Sequence, residues 1–261
     1  MSTESKTVVF TVTTNGYKFL TWNLWLHFQR IDVPWKFMIL CLDKESHKFF
    51  SQIANIPSFL LPDTKLQVLG DATKIAAHGS GDFNRITKLK LAAFTYLLQK
   101  QTIERLFYLD SDIVPFQDPV PYLERTLTSD HPLWFQCDEH NVEFKCSHVI
   151  NNRCGNCCTG VIGFYVGTPE LRQQFLSMVA CNEEIWKQCK ENNDQEYIQK
   201  KLAEMNIPYS TFPRDLFPNG SYLRDDRWKT LSEPYLLHFN FLVGSSKQRV
   251  IKSKGFWLVP Y

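Results

Sequence analysis

The decapeptide Phe107-Tyr-Leu-Asp-Ser-Asp-Ile-Val-Pro-Phe116 is an apolar run interrupted by Asp110, Ser111 and Asp112. Read as a strand ending at Leu109, it delivers two carboxylates, with a hydroxyl between them, to one strand tip. Hard cations such as Mn²⁺ and Mg²⁺ take oxygen ligands and are commonly held by one or two carboxylates, with substrate phosphate and water completing the shell. The chemistry implied is transfer from a diphosphate leaving group. Asp-x-Asp also recurs in ordinary turns, which are rich in Asp, so the motif takes its weight from what surrounds it.

Two carboxylates at a strand tip need a sheet to carry them. Strand and amphipathic-helix signals alternate from the start of the chain, the pattern of a mostly parallel sheet with helices on both faces. Residues 8–13 read as a strand, 16–30 as a helix, 36–42 as a strand, 44–54 as a helix and 66–69 as a short strand. Gly79, Gly81 and Asp82 mark 76–84 as a flexible loop. Residues 85–100 read as a helix with Ile86, Leu89, Ala93 and Leu97 on one stripe, and this helix feeds the strand that ends at Asp110. Both aspartates then lie at the carboxyl edge of the sheet, where open α/β folds bind ligands. Further on, 133–136 and 160–166 read as strands, 169–179 as a helix begun by Thr168 and Pro169, and 194–205 as a helix with Asn193 and Glu196 as a capping box. Strand-like stretches at 209–212 and 235–239 follow. No repeat, low-complexity segment or linker interrupts the pattern, which predicts a single domain over 1–261.

With 261 residues, 44% of them hydrophobic, the chain can bury a large core. A formal charge of +2 without a basic block or acidic tail gives no electrostatic case for nucleic acid or a membrane surface as partner. The stretch Met1-Ser-Thr-Glu-Ser-Lys6 lacks the pattern of a signal peptide. The most apolar span, 17–31, is too short to cross a bilayer and carries Lys18, Asn23, His27, Gln29 and Arg30. The expectation is a cytoplasmic chain, or a Golgi-lumenal one if an anchor was trimmed from it. Of eight cysteines, seven fall between Cys137 and Cys189. Three states are open for them: reduced thiols, the default without a secretion signal; a structural zinc on Cys137, Cys146, Cys154 and Cys157; or disulfides.

Along the chain stand, in order, Asp110-Ser111-Asp112, a strand at Gly160, Asn193-Asp194-Gln195, and His238-Phe-Asn240 followed by Gly244 and Lys247. In that order they resemble the motifs of GT-A fold nucleotide-diphospho-sugar glycosyltransferases, the retaining glycogenin-like group and the plant arabinosyl- and xylosyltransferases in particular, from about residue 8 to 257. The resemblance implies an α/β fold of GT-A type, with a Rossmann-like nucleotide-binding half over about 7–112 and a donor-sugar and acceptor half over about 113–261. It implies a Mn²⁺ or Mg²⁺ ion on Asp110, Asp112 and His238, a nucleoside-diphosphate sugar as donor, UDP-linked by expectation, and a hydroxyl of a glycan, glycoprotein or glycolipid as acceptor. Lys247 would add positive charge at the phosphates once Gly244 lets the backbone approach. Seen alone, a histidine in a strand and a lysine near Lys252 and Lys254 have ordinary structural explanations too.

Other candidates come from position. Nucleotides bind at the tips of the first strands of a doubly wound half, which singles out Thr11, Thr13, Asn15, Tyr17 and Asp43 for base and ribose; strand propensity and an Asn-Gly turn account for the threonines and Asn15 as well. Arg85 and Lys88 resemble family residues that reach the ribose or donor sugar, and a solvated helix face also explains them. Asp194 and Gln195 open a helix near the expected donor sugar, where a carboxylate or amide oxygen would stabilise an oxocarbenium-like transition state; Asp194 equally complements the helix dipole. Related enzymes often carry Asn-Ser-Gly or Asn-Ala-Gly where this chain has Cys158-Thr159-Gly160. That leaves Gly160 as the matching small residue, Thr159 or Asn156 as substitutes for the missing amide, and the donor sugar in question. The tract 217–222 resembles the acceptor side, and its Asn219-Gly-Ser221 is also a glycosylation sequon. The reading is retaining glycosyl transfer. Its rivals are a catalytically silent sugar-nucleotide-binding or assembly protein on the same fold, and a nucleotidyltransferase, whose glycine-rich basic loop is absent from Thr13-Thr-Asn-Gly16.

Overall fold

Successive side chains of a strand point to opposite faces, and here both faces are apolar. The computed structural model of the chain describes residues 6–35, 37–52, 56–61, 80–141, 157–180 and 193–260. Its first half holds β1 (Thr7–Thr13), α1 (Lys18–Ile31), β2 (Phe37–Cys41), α2 (Lys44–Ser51), β3 (Ser58–Leu60), α3 (Gly81–Leu98) and β4 (Arg105–Leu109). There follow β5 (Ile113–Pro115), α4 (Val120–Thr126), β6 (Leu133–Cys137), β7 (Cys157–Tyr165), α5 (Pro169–Val179), α6 (Asp194–Glu204), β8 (Ser210–Thr211), a 3₁₀ segment (Gly220–Thr230), β9 (Leu236–His238) and α7 (Ser246–Ser253).

Seven strands form one sheet in the order β3-β2-β1-β4-β7-β6-β8. Neighbours are parallel except where β7 runs antiparallel to β4 and β6. Val9, Ile39, Phe107 and Leu109 pack on one face against Leu24 and Phe28 of α1 and Phe50 of α2. Phe10, Leu40, Leu106 and Tyr108 pack on the other against Phe94 and Leu97 of α3, Phe175 of α5 and Ile198 of α6. Parallel strands buried on both faces read as continuous apolar runs, and each fully buried Phe contributes about 2–3 kcal/mol. A second, two-stranded sheet pairs β5 with β9 antiparallel, over a smaller core of Leu20, Val114, Leu237, Phe239 and Ile251.

Helix starts follow their caps. Thr168 Oγ1 accepts from Leu171 N (3.3 Å), and Asn193 Oδ1 accepts from Glu196 N (3.0 Å), so α5 and α6 begin where the sequence predicts. Ser80 Oγ accepts from Phe83 N (3.2 Å), which starts α3 at Gly81. This corrects the loop expected over 76–84: its last four residues are helical. Residues 62–79, with the strand expected at 66–69, lie outside the described residues, and β3 is an edge strand that sequence reasoning missed. Cys41, Cys157 and Cys158 carry thiols, and Cys137 is disulfide-bonded, which overturns both the zinc set and the all-thiol default. Among the described residues no helix is long and apolar enough to cross a membrane.

One charged side chain fastens the helical layer. Arg172 of α5, 5% exposed, donates to the carbonyl oxygens of Leu98 (2.8 Å), Lys100 (2.9 Å), Ile103 (2.5 Å) and Val166 (2.8 Å). These carbonyls close α3 and flank β4 and β7, and all lose their donor together. Arg172→Ala is therefore expected to lower stability by about 3 kcal/mol or more, read as a fall in the urea midpoint at unchanged slope; a shift under about 0.5 kcal/mol would show the carbonyls are satisfied otherwise.

Candidate active site

β4 ends at Leu109, and the chain leaves the large sheet there. Asp110 N donates to Gly160 O on β7 (2.7 Å). Three residues on, Ile113 begins β5 directly opposite His238, the last residue of β9, and Phe239 N donates to Asp112 O (3.0 Å). This crossing from one sheet to the other brings Asp110, Asp112 and His238 together, with ligand atoms all within 4.8 Å of one another. His238 Nε2 stands 3.3 Å from Asp112 Oδ1 and 3.9 Å from Asp110 Oδ2.

The imidazole is held in one tautomer. Its Nδ1 lies 2.7 Å from Gln136 Oε1, an acceptor, while Gln136 Nε2 donates to Phe217 O (3.0 Å) and Pro218 O (3.1 Å). Those carbonyls fix which end of the amide faces the ring, so Nδ1 carries the proton and Nε2 presents a lone pair. Nε2 is buried without a hydrogen-bond partner. A buried lone pair facing two carboxylates calls for a cation between them, and two carboxylate oxygens with one imidazole nitrogen suit a Mn²⁺- or Mg²⁺-type ion. Gly160 makes the room: a Cβ there would collide with His238 Cε1 and stand 2.7 Å from Asp110 Oδ2.

Two lysines, Lys90 buried and Lys247 half-buried, balance the acids. Lys247 of α7 lies 2.6 Å from Asp112 Oδ2. Burial alone would raise the Asp112 carboxyl, but the Lys247 ammonium holds it well below the usual carboxylate range, and Asp112 in turn raises Lys247 against its own burial. Lys90 of α3 lies 2.5 Å from Asp194 Oδ2 and 3.6 Å from Asp110 Oδ1, donates to Thr159 O (3.1 Å), and sits over the Tyr108 ring at 4.9 Å. Burial would lower the Lys90 pKa, yet the Asp110 and Asp194 carboxylates raise it. Tyr108 donates to Asp110 Oδ1 (2.5 Å). Asp138, past the end of β6, is held by amides instead: Asn240 Nδ2 on Oδ1 (2.9 Å) and Gln195 Nε2 on Oδ2 (3.0 Å). Burial raises its pKa against the Gln195 hydrogen bond.

A cleft of about 610 Å³ runs along this edge. Of the residues singled out in the sequence, Thr13, Tyr17, Asp110, Ser111, Asp112, Gly160, Asp194, Gln195, His238, Gly244 and Lys247 line it. Thr11, Asn15, Asp43 and Lys88 do not. Thr11 is buried inside β1. Asp43 caps α2 through Ser46 N (2.7 Å) and ties down Asn15 N (2.8 Å) with its other oxygen. Arg85 is in α3, and its side chain is outside the described residues, as is Asn156. Sequence reasoning missed Lys90, Tyr108, Gln136 and Asp138. Lys90 had a signal: it falls four residues after Ile86 and three before Ala93, on the apolar stripe of α3.

Because Gln136 sets the tautomer, Gln136→Leu should weaken Mn²⁺ binding about 10–100-fold, measured by calorimetry on protein whose circular dichroism is unchanged. Equal Mn²⁺ affinity in wild type and Gln136→Leu would count against this role.

The geometry has parallels among known proteins. The sequence profile of the nucleotide-diphospho-sugar transferase family matches residues 35–250. The beta-arabinofuranosyltransferase RAY1 of Arabidopsis thaliana is 24% identical over 281 residues, covering 97% of this chain and 48% of that protein, so the chain spans about half the length of this curated relative. The galactosyltransferase LgtC, solved with donor and acceptor sugar analogs, is similar in structure with a TM-score of 0.54 at 12% identity, over 97% of each chain. Mouse xyloside xylosyltransferase 1 gives a TM-score of 0.53 at 9% identity, over 90% of this chain and 97% of its own. These two similarities establish the GT-A fold, and the profile match over most of the chain establishes the lineage: this protein belongs to the nucleotide-diphospho-sugar transferase family.

Proposed function

We propose that the chain transfers a pentosyl or hexosyl group from a UDP-sugar to a hydroxyl acceptor on a glycan, glycoprotein or glycolipid, with retention and with a divalent metal. The observation that carries this is the Nε2 of His238, buried without a hydrogen-bond partner and facing Asp110 and Asp112 at the strand tips, beside Lys247. A divalent ion bound there would act as a Lewis acid on the departing diphosphate. RAY1, LgtC and the mouse enzyme are named for arabinofuranosyl, galactosyl and xylosyl transfer, which supports the donor class.

On this reading the half over about 7–112 takes the nucleotide, with Thr13 and Tyr17 on the base side, and the half over about 113–261 takes donor sugar and acceptor. Lys247 exchanges Asp112 Oδ2 for a phosphate oxygen when the donor arrives. Gly160, Asp194 and Gln195 face the sugar. The donor C1–O bond breaks with its electron pair going to the diphosphate, the acceptor oxygen bonds to C1 on the same face, and its proton passes to the leaving phosphate oxygen. Asp194 is clamped by the Lys90 ammonium at 2.5 Å. Such a carboxylate is a poor nucleophile and a well-placed fixed charge, so it supports the oxocarbenium-like centre electrostatically.

Ligands that bind only the folded state raise its melting temperature. UDP with Mn²⁺ at about a hundred times Kd should raise Tm by about 5 °C or more, chelator should abolish the rise, and GDP should give less. Asp110→Ala and Asp112→Ala should each cut turnover of the UDP-sugar at least about 100-fold without unfolding the chain. Undiminished turnover in either variant would refute the site; binding without slow donor hydrolysis would favour the silent relative.

A further inference from the structure

Asn23 and His27, one turn apart on α1, are polar side chains buried to 1% and 9% exposure, and neither lines the cleft. A buried amide or imidazole needs partners, and both find them in the tail after α7. Asn23 Nδ2 donates to Phe256 O (3.1 Å), and Asn23 Oδ1 accepts from Leu258 N (2.7 Å). His27 Nε2 lies 2.8 Å from Phe256 O, an acceptor, so this nitrogen carries the ring proton. The partners are 229 to 235 residues apart in sequence, so local chain geometry imposes none of these bonds.

The helix that the tail follows is held mainly at its far end. Ile251 is the one buried residue of α7, and no side chain caps its start. The loop before it passes through left-handed φ at Phe241 (63°) and Gly244 (56°), with Phe241 and Val243 exposed. Past the other end Gly255 turns at φ 80°, which glycine adopts freely, and Phe256 packs against Phe116, Trp228 and Phe239. Lys254 pairs with Asp226. Lys247 stands at the loosely held end, 2.6 Å from Asp112 Oδ2. Its ammonium is thus aimed by contacts one helix length away, about 12 Å for eight residues.

We propose that Asn23, with His27 beside it, is a positioning residue for Lys247: it clamps the tail so that α7 carries the ammonium to the diphosphate. This rests on the transferase reading above, and Asn23 acts only through Lys247. An ammonium already held in place loses less freedom on binding than one on a loose helix. Releasing the tail frees the helix, and the cost falls on phosphate binding alone.

The test is a double-mutant cycle with Lys247→Met, read as UDP affinity by calorimetry with Mn²⁺ present. Asn23→Leu removes both amide bonds to the tail. It should weaken UDP about tenfold in the wild-type background and less than about twofold beside Lys247→Met. Uridine, which carries no phosphate, should bind wild type and Asn23→Leu within about twofold by NMR titration. His27→Leu removes the remaining bond and carries the same cycle at about threefold, which serves where Asn23→Leu does not fold. Hydrogen exchange needs no ligand: amides over 247–256 should exchange at least about tenfold faster in Asn23→Leu, with those of β1 and β4 unchanged. Equal loss of UDP affinity with and without Lys247, loss of uridine affinity, or unchanged exchange across α7 overturns the proposal. Should wild type fail to bind UDP with Mn²⁺, the transferase reading falls, and exchange across α7 still decides whether Asn23 holds that helix.

Discussion

Four aspartates, Asp110, Asp112, Asp138 and Asp194, line one cleft, and their mutual repulsion is what the surrounding structure must offset. Two like charges 4 Å apart at an effective dielectric of 20 repel by about 4 kcal/mol, a large fraction of the stability of a whole domain. Compensation comes from different elements. Lys90 reaches in from α3 to Asp194 and Asp110, and Lys247 from α7 to Asp112. Asp138 receives amides rather than cations. The contrast shows in the titration: the Asp112 carboxyl is held low by its lysine, whereas burial wins at Asp138 and raises it.

The reversed strand makes this arrangement possible. In the parallel neighbours, the carboxyl-terminal residues lie at the ligand edge. Since β7 runs antiparallel to β4 and β6, its first residues lie there instead, and Cys158, Thr159 and Gly160 come to the triad. Thr159 supplies a carbonyl to Lys90. Gly160 leaves the volume that His238 and Asp110 occupy. Cys158 Sγ lies 3.9 Å from His238 Nδ1, and burial keeps its thiol neutral, far above the ordinary range. A small neutral side chain thus packs behind the ring without adding a further charge.

Much of this was legible in the sequence, for physical reasons that vary by residue. Strands buried on both faces announce themselves as apolar runs, and α5 has the bounds the sequence predicts because Thr168 and Pro169 punctuate its start. The triad was found through motif order, since no local pattern near His238 marks a ligand. β5 was hidden because Ile113-Val114-Pro115 follows Asp112 without a break and contains a proline, which argues against a strand except at an edge, a first position or a bulge. Gln136 was hidden inside a fully buried strand, where a lone polar residue reads as noise until its partner, a hundred residues on, is in place. Lys88 and Lys90 are two apart on one helix and so point differently. The sequence reading favoured the one that resembles the family, and the buried one is the residue that reaches the acids.

Asn219 shows how a local motif is overruled by packing. As a sequon it asks for an accessible side-chain amide, yet Asn219 is 1% exposed and its Nδ2 donates to Cys137 O (2.8 Å) and Glu139 O (3.0 Å). Its Oδ1 accepts from Ser221 N (3.0 Å) and Ser221 Oγ. The amide nitrogen is therefore already engaged on both hydrogens and cannot meet a glycosylation enzyme in the folded chain. Arg214 fastens the same stretch through Glu139 O (2.8 Å) and Asn141 O (2.5 Å). Between them these two side chains pin the backbone after β6, while Gly220 N pins Asn240. The end of β6 that carries Asp138 and His140 is thereby preorganised, so ordering those side chains for a ligand costs little of the binding energy.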